Sequence, residues 1–142
     1  MVIILTLIFC SGYSQNSVKY CDTNKVVDEP VYLLVDTMPE FIGGDENLIK
    51  YIDDSLDLSG LPVPKGKYII SYVTVTISPE GNVIYSCVIM RSSSTPISAY
   101  DKRAIEFVNT LKFTPGIKNG KAVHMVRNLP IRFEAKRIKK AR

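Results

Sequence analysis

Between Tyr68 and Met90 the side chains alternate in a pattern that only a pair of strands satisfies. Val73, Val75 and Ile77 alternate with Tyr72, Thr74 and Thr76, the two-residue period of a pleated strand with β-branched composition. Pro79-Glu80-Gly81-Asn82 then supplies turn residues, and Val83 to Met90 is again rich in Val and Ile. A connection this short brings the second run back antiparallel to the first. The centre of the chain is therefore predicted to be a β-hairpin.

The flanking sequence changes period. Leu48, Ile49, Ile52 and Leu56 recur at helical spacing with Asp53 and Asp54 opposite them, which predicts a first helix over 46–56. Gly43-Gly44 turns the chain into it, and Asp45 is placed to cap its first amides. Two prolines and a glycine in Leu61-Pro62-Val63-Pro64-Lys65-Gly66 end that helical stretch. A second helix is predicted over 97–111, with Ile97, Tyr100, Ala104, Val108 and Leu111 as its apolar stripe. After the turn Lys118-Asn119-Gly120, residues 121–134 read as a third strand. Val123, Met125, Leu129, Ile131 and Phe133 share one parity, and only Arg127 interrupts it. Pro130 within that run marks it as an edge strand. Ahead of all this, Val31-Tyr32-Leu33-Leu34-Val35 is a short apolar run between Pro30 and Pro39, open to a strand or an extended segment. The expected fold is α+β: a three-stranded antiparallel sheet, in the order helix, hairpin, helix, strand, with two helices packed on one face.

Charge and cysteine usage narrow the functions. The net charge is +4, but Lys136, Arg137, Lys139, Lys140 and Arg142 carry five positive charges in the last seven residues, so the rest of the chain stands at −1. That is a solvated basic tail over 135–142, not the basic face threaded with aromatics that nucleic-acid binding needs. Met1 to Phe9 is an unbroken apolar run, too short to span a bilayer and shaped like the core of a secretory signal. Residues 1–15 are read as that signal, with Gly12 and Ser14 at −3 and −1 for cleavage before Gln15, although the usual basic start is missing. Residues 16–37 form an N-terminal extension. Export leaves Cys21 and Cys87, which could pair in an oxidising compartment. Because Cys87 falls in a predicted strand and Cys21 in an irregular segment, two unpaired thiols are the favoured reading, Cys87 serving as a small core residue.

Nothing in the sequence assembles a catalytic or metal site. His124 is the only histidine and the cysteines are scattered, so no metal, cofactor or catalytic residue is expected. Asp101 opens the second helix, where a carboxylate complements the dipole. Gly43-Gly44 is a turn without the rest of a phosphate loop. Ser92-Ser93-Ser94 caps the second helix, and Tyr68 and Tyr72 are packing residues. Arg127 either reaches a partner's carboxylate or, the preferred reading, snorkels to water at the sheet edge.

Four stretches, taken in order, resemble the TonB C-terminal domain family in its Bacteroidota form. They are Met38-Pro39-Glu40-Phe41-Ile42-Gly43-Gly44; Tyr72 through Val83; Tyr100-Asp101-Lys102-Arg103-Ala104-Ile105; and Phe113-Thr114-Pro115-Gly116 with Asn119-Gly120-Lys121-Ala122-Val123 and Leu129-Pro130-Ile131-Arg132-Phe133. The resemblance spans residues 38–134, taken as one domain. It implies a periplasmic binding domain, not an enzyme, that engages the TonB-box peptide of outer-membrane TonB-dependent transporters by strand addition, in energy-coupled nutrient uptake. The docking residues it implies are Ala122, Val123, His124, Met125, Val126, Arg127, Asn128 and Leu129. The chain as it stands shows neither the membrane anchor nor the Pro-rich spacer of a full transducer. A free periplasmic domain is therefore expected, or an inner-membrane-anchored one if the start lies upstream. The alternative is a structural or interaction domain, a homodimer through the same edge or an accessory protein, that has lost energy transduction. No nucleic-acid partner is expected.

Overall fold

The computed structural model describes residues 27–91 and 99–142. The predicted hairpin is β2 (Tyr68–Ile77) and β3 (Val83–Arg91), and the third predicted strand is β5 (Lys121–Glu134). β2 lies between them, antiparallel to both. Two further strands join them: β1 (Val31–Tyr32), in the apolar run left open to a strand or an extended segment, and β4 (Gly116–Lys118), which was not expected. The sheet runs β1-β5-β2-β3, with β4 paired to the start of β5. Because β1 pairs with β5 in parallel, the expected antiparallel sheet is mixed.

The alternation read from the sequence decides which face is dry. Val73, Val75 and Ile77 are fully closed to water, as are Ile131 and Phe133 on the matching parity of β5. Helix α1 (Asp45–Ser55) brings Leu48 and Ile52 onto this face, and α2 (Ala99–Val108) brings Tyr100, Ala104, Phe107 and Val108. Ile49 was expected in the stripe of α1 and instead faces solvent, 71% exposed. Burying each large apolar side chain contributes about 1.5–3 kcal/mol, so this one face carries most of the stability. Thr74 and Thr76, on the opposite parity, are also buried, and the Thr74 hydroxyl donates to Asn128 Oδ1 at 2.7 Å.

Local turns explain how the layers meet. Gly81 has a φ of +84°, and a Cβ there would stand 1.9 Å from the carbonyl oxygen of Phe113. The hairpin tip is thus pressed against the chain leaving α2, where the Phe113 amide donates to the Gly81 carbonyl. Residues 40–42 run antiparallel to 112–114, joined by the Ile42 amide to Lys112 O and the Thr114 amide to Glu40 O. Phe41 and Phe113 meet edge to face there, 6.3 Å apart.

The basic tail keeps Lys136, Lys139, Lys140 and Arg142 exposed to solvent, as expected, but it is helical and anchored. Residues Ala135–Lys140 form helix α3 directly after β5. Its Ile138 is fully buried in the core cluster, and Arg137 Nη1 lies 2.6 Å from Asp53 Oδ1 of α1. Six residues are too few to show a helical period, and the abundant charge hid the single apolar anchor. Nor does the tail hold its charge alone, since Lys136 and Lys139 share an open cleft with Lys65, Lys67, Arg132 and Glu134. Cys87 is also corrected: it is disulfide-bonded, not a free core thiol. Cys10 and Cys21 lie outside the described residues, as do Ile97 and Ser92–Ser94.

Ile138 therefore gives a direct test of the tail. Ile138→Ala is expected to lower unfolding free energy by about 2–4 kcal/mol in urea titrations, whereas Lys140→Ala should stay within about 0.5 kcal/mol. Equal, negligible effects would mean that α3 does not dock.

Candidate strand-docking edge

The residues expected to receive a partner strand all lie on the first two-thirds of β5, where their neighbours differ position by position. Ala122 and Val123 pair with Ile117 and Gly116 of β4. The intervening turn is tight because Asn119 and Gly120 both have positive φ, 50° and 76°, as a two-residue hairpin of this hand requires. His124 and Met125 pair with Val31 and Tyr32 of β1. From Met125 onward, β2 flanks the other side: Met125, Val126, Arg127, Asn128 and Leu129 oppose Ile77, Thr76, Val75, Thr74 and Val73.

β5 is therefore not an edge strand throughout. Its start is covered by the chain's own β4 and β1, because the apolar run after Pro30 supplies a strand. Beyond Met125 no described strand lies on the side away from β2. Pro130 falls in that half-open stretch, where a residue without an amide proton is tolerated. The edge expected of β5 is covered over its first part, and among the described strands only β2 flanks its second.

Arg127 does neither of the things expected of it. Its parity points it at the helix-covered face, and there it forms a forked pair with Asp45, at 3.0 Å (Nη1–Oδ1) and 2.6 Å (Nη2–Oδ2). Nη1 also donates to the Pro39 carbonyl at 2.8 Å, and the guanidinium lies 5.5 Å from the Phe113 ring centre. Asp45 in turn does not cap α1. Its Oδ1 accepts the Phe41 amide at 2.9 Å, and Gly44 takes the cap position without a side-chain bond. The hydrogen bonds from Arg127 are the main reason the Asp45 carboxyl is held below its ordinary pKa; the Phe41 amide helps, and partial burial opposes it. The two residues are 82 positions apart, so no local spacing could reveal the pair.

The segment ahead of α1 is tied in at several points. The Asp36 and Thr37 amides donate to Ile117 O at 2.9 and 3.0 Å, and the Ile117 amide returns a bond to Thr37 O at 2.9 Å. Asp36 Oδ2 accepts the Asn119 amide at 2.8 Å. Glu29 Oε2 stands 3.2 Å from His124 Nδ1, and Lys118 Nζ lies 5.3 Å from the Tyr32 ring centre. Sequence reasoning missed all of these except the apolar run itself. Asp101 does sit in the first turn of α2, but it is buried and accepts the Ser71 hydroxyl at 2.8 Å. Among the described residues no group of three or more His, Cys, Asp or Glu side chains could hold a metal ion. What this surface offers is backbone, not reactive groups.

Because the folded-state pKa of Asp45 is depressed, its pair with Arg127 supports the fold above the unfolded carboxylate pKa of about 3.9. That support fades as pH falls through the lower folded value. Asp45→Asn should therefore cost about 1 kcal/mol at pH 7, a modest figure because the carboxylate is 45% exposed. The gap to the parent should close below about pH 3 in urea midpoints measured across pH, and a gap constant with pH would dissolve the assignment.

Residues 70–135 match the family model described as Gram-negative bacterial TonB protein C-terminal. The match begins inside β2 and ends on the first residue of α3, so it takes in most of the β2–β5 ladder and the open stretch of β5. No curated protein and no solved structure matches the chain.

Proposed function

We propose that this domain, whose residues 70–135 match the Gram-negative bacterial TonB protein C-terminal family model, binds the TonB-box segment of an outer-membrane transporter by strand addition along β5. The observation that carries the reading is the half-open side of β5. From Val126 to Glu134 the strand is laddered to β2, and no described strand lies on its other side. An extended peptide laid there would meet backbone donors and acceptors already held straight by nine register pairs with β2. Main-chain bonds would then supply affinity, while alternate side chains supply selectivity. The docking residues of the proposal are Val126, Arg127, Asn128 and Leu129 of the open stretch, with Ala122, Val123, His124 and Met125 reached by extension. Arg127 would act from beneath, fixing the strand through Asp45. Export through residues 1–15 belongs to the same reading and places the domain where transporter N-termini are found.

A second reading, self-association, has its own support. Among the described strands β3 is the outer one at the far side of the sheet, and Ile84 and Ile89 on it are 39% and 40% exposed. Copies pairing there would be a domain that kept the fold for assembly.

One titration separates the two. Adding ten-residue peptides copied from the N-terminal segments of outer-membrane transporters of the same genome to the isotope-labelled chain should shift amides from Val126 through Phe133. Shifts confined to β3 that grow with protein concentration alone would favour self-association. No shifts on β5 with any peptide would sink strand addition.

A further inference from the structure

The segment 29–34 is a strand only partly laid down. Five apolar residues run from Val31 to Val35, yet only Val31 and Tyr32 pair with β5. The next two, Leu33 and Leu34, stand 73% and 79% exposed. The ladder stops because the chain is drawn aside: the amides of Asp36 and Thr37 are held on Ile117 of β4, and the segment cannot follow β5 past Met125. What pairing it has is specific. It is parallel and lies on the side of β5 away from β2. Glu29 is set beside His124 Nδ1, a buried nitrogen with no hydrogen-bond partner of good geometry, and Lys118 covers the Tyr32 ring.

We propose that Val31–Tyr32 is the resident occupant of the strand-addition seat on β5, and that a partner segment enters by displacing it. This rests on the reading that β5 takes a partner strand. The resident strand also states the chemistry of the incoming one. The partner is an extended apolar segment running parallel to β5, with a carboxylate just ahead of it to meet His124 and an aromatic side chain to lie under Lys118. Exchange is favoured by length. The resident makes two rungs and leaves two leucines in water, whereas a strand free to follow β5 gains rungs from His124 through Val126 and beyond. A two-residue strand is among the first elements to open, so the seat is intermittently free. While it is filled, the start of β5 is shielded from pairing with other copies of the chain. Apparent affinity for the partner falls by the fraction of time the seat is empty.

The test uses the full chain and the double variant Val31→Gly, Tyr32→Pro, which weakens the strand and removes an amide donor without touching a core side chain. Two probes are titrated by amide shifts: the transporter peptides above, and a peptide copying residues 27–36 of this chain. The variant is expected to bind both probes about tenfold more tightly than the parent, with shifts at His124 and Met125. Equal binding of the transporter peptides to both forms, with His124 and Met125 unmoved, overturns the resident-strand proposal and leaves strand addition standing. Binding of the copied peptide to the variant alone, with transporter peptides bound by neither form, upholds the resident strand and overturns the transporter reading. No binding of either probe to either form overturns both.

Discussion

The fold depends on one ladder between segments distant in sequence. Tyr68–Ile77 and Met125–Glu134 meet in ten consecutive pairs without a bulge, closing a loop of roughly fifty residues whose entropic cost grows only slowly with length. The same two strands carry Val73, Val75, Ile77, Leu129, Ile131 and Phe133 on one face. Pairing and core formation are therefore a single event, since a slip of β5 by one residue against β2 would turn Leu129, Ile131 and Phe133 outward. β3 joins as the other half of a hairpin, and the helices cover a face that already exists. Both ends of β5 are pinned, by the turn at Asn119–Gly120 and by α3 with its buried Ile138.

Arg127 shows how one polar residue on an apolar parity can organise a surface. Opposite Val75 it would leave a charge against the core, had Asp45 and the Pro39 carbonyl not met it. The forked geometry suits guanidinium and carboxylate, and it orients as well as attracts. Through it, β5 fixes the loop that starts α1. The edge and the helix layer are thereby joined by one side chain.

How much of this was legible follows from the range of each signal. β2, β3 and β5 are written in two-residue periods, and their bounds fall within about a residue of the expected ones. α1 was equally plain from Leu48, Ile52 and Leu56. The parallel seat of β1 was not, because two residues carry no period and the partner strand lies ninety positions away. Asp45 was misread as a cap because the residue types that cap a helix are also those that pair with arginine, and only the fold brings Arg127 near. α3 was hidden by its own charge. The coverage of β5 was half legible: Pro130 marked an edge, but the covering of Ala122 to Met125 depends on residues 29–37 and 116–118 returning to the same place.

The parallel sense of the β1–β5 pairing has a mechanical corollary. Rungs between two strands lie across the strand axis, evenly spaced and slanted in a parallel pair. A segment seated in that way and tugged along its length strains every rung together, like a lap joint in shear. Tugged sideways from one end, it peels rung by rung, each step opposed by a single bond. The same few hydrogen bonds can thus hold firm against tension in one direction and let go easily in another, with no change in the equilibrium strength of the contact.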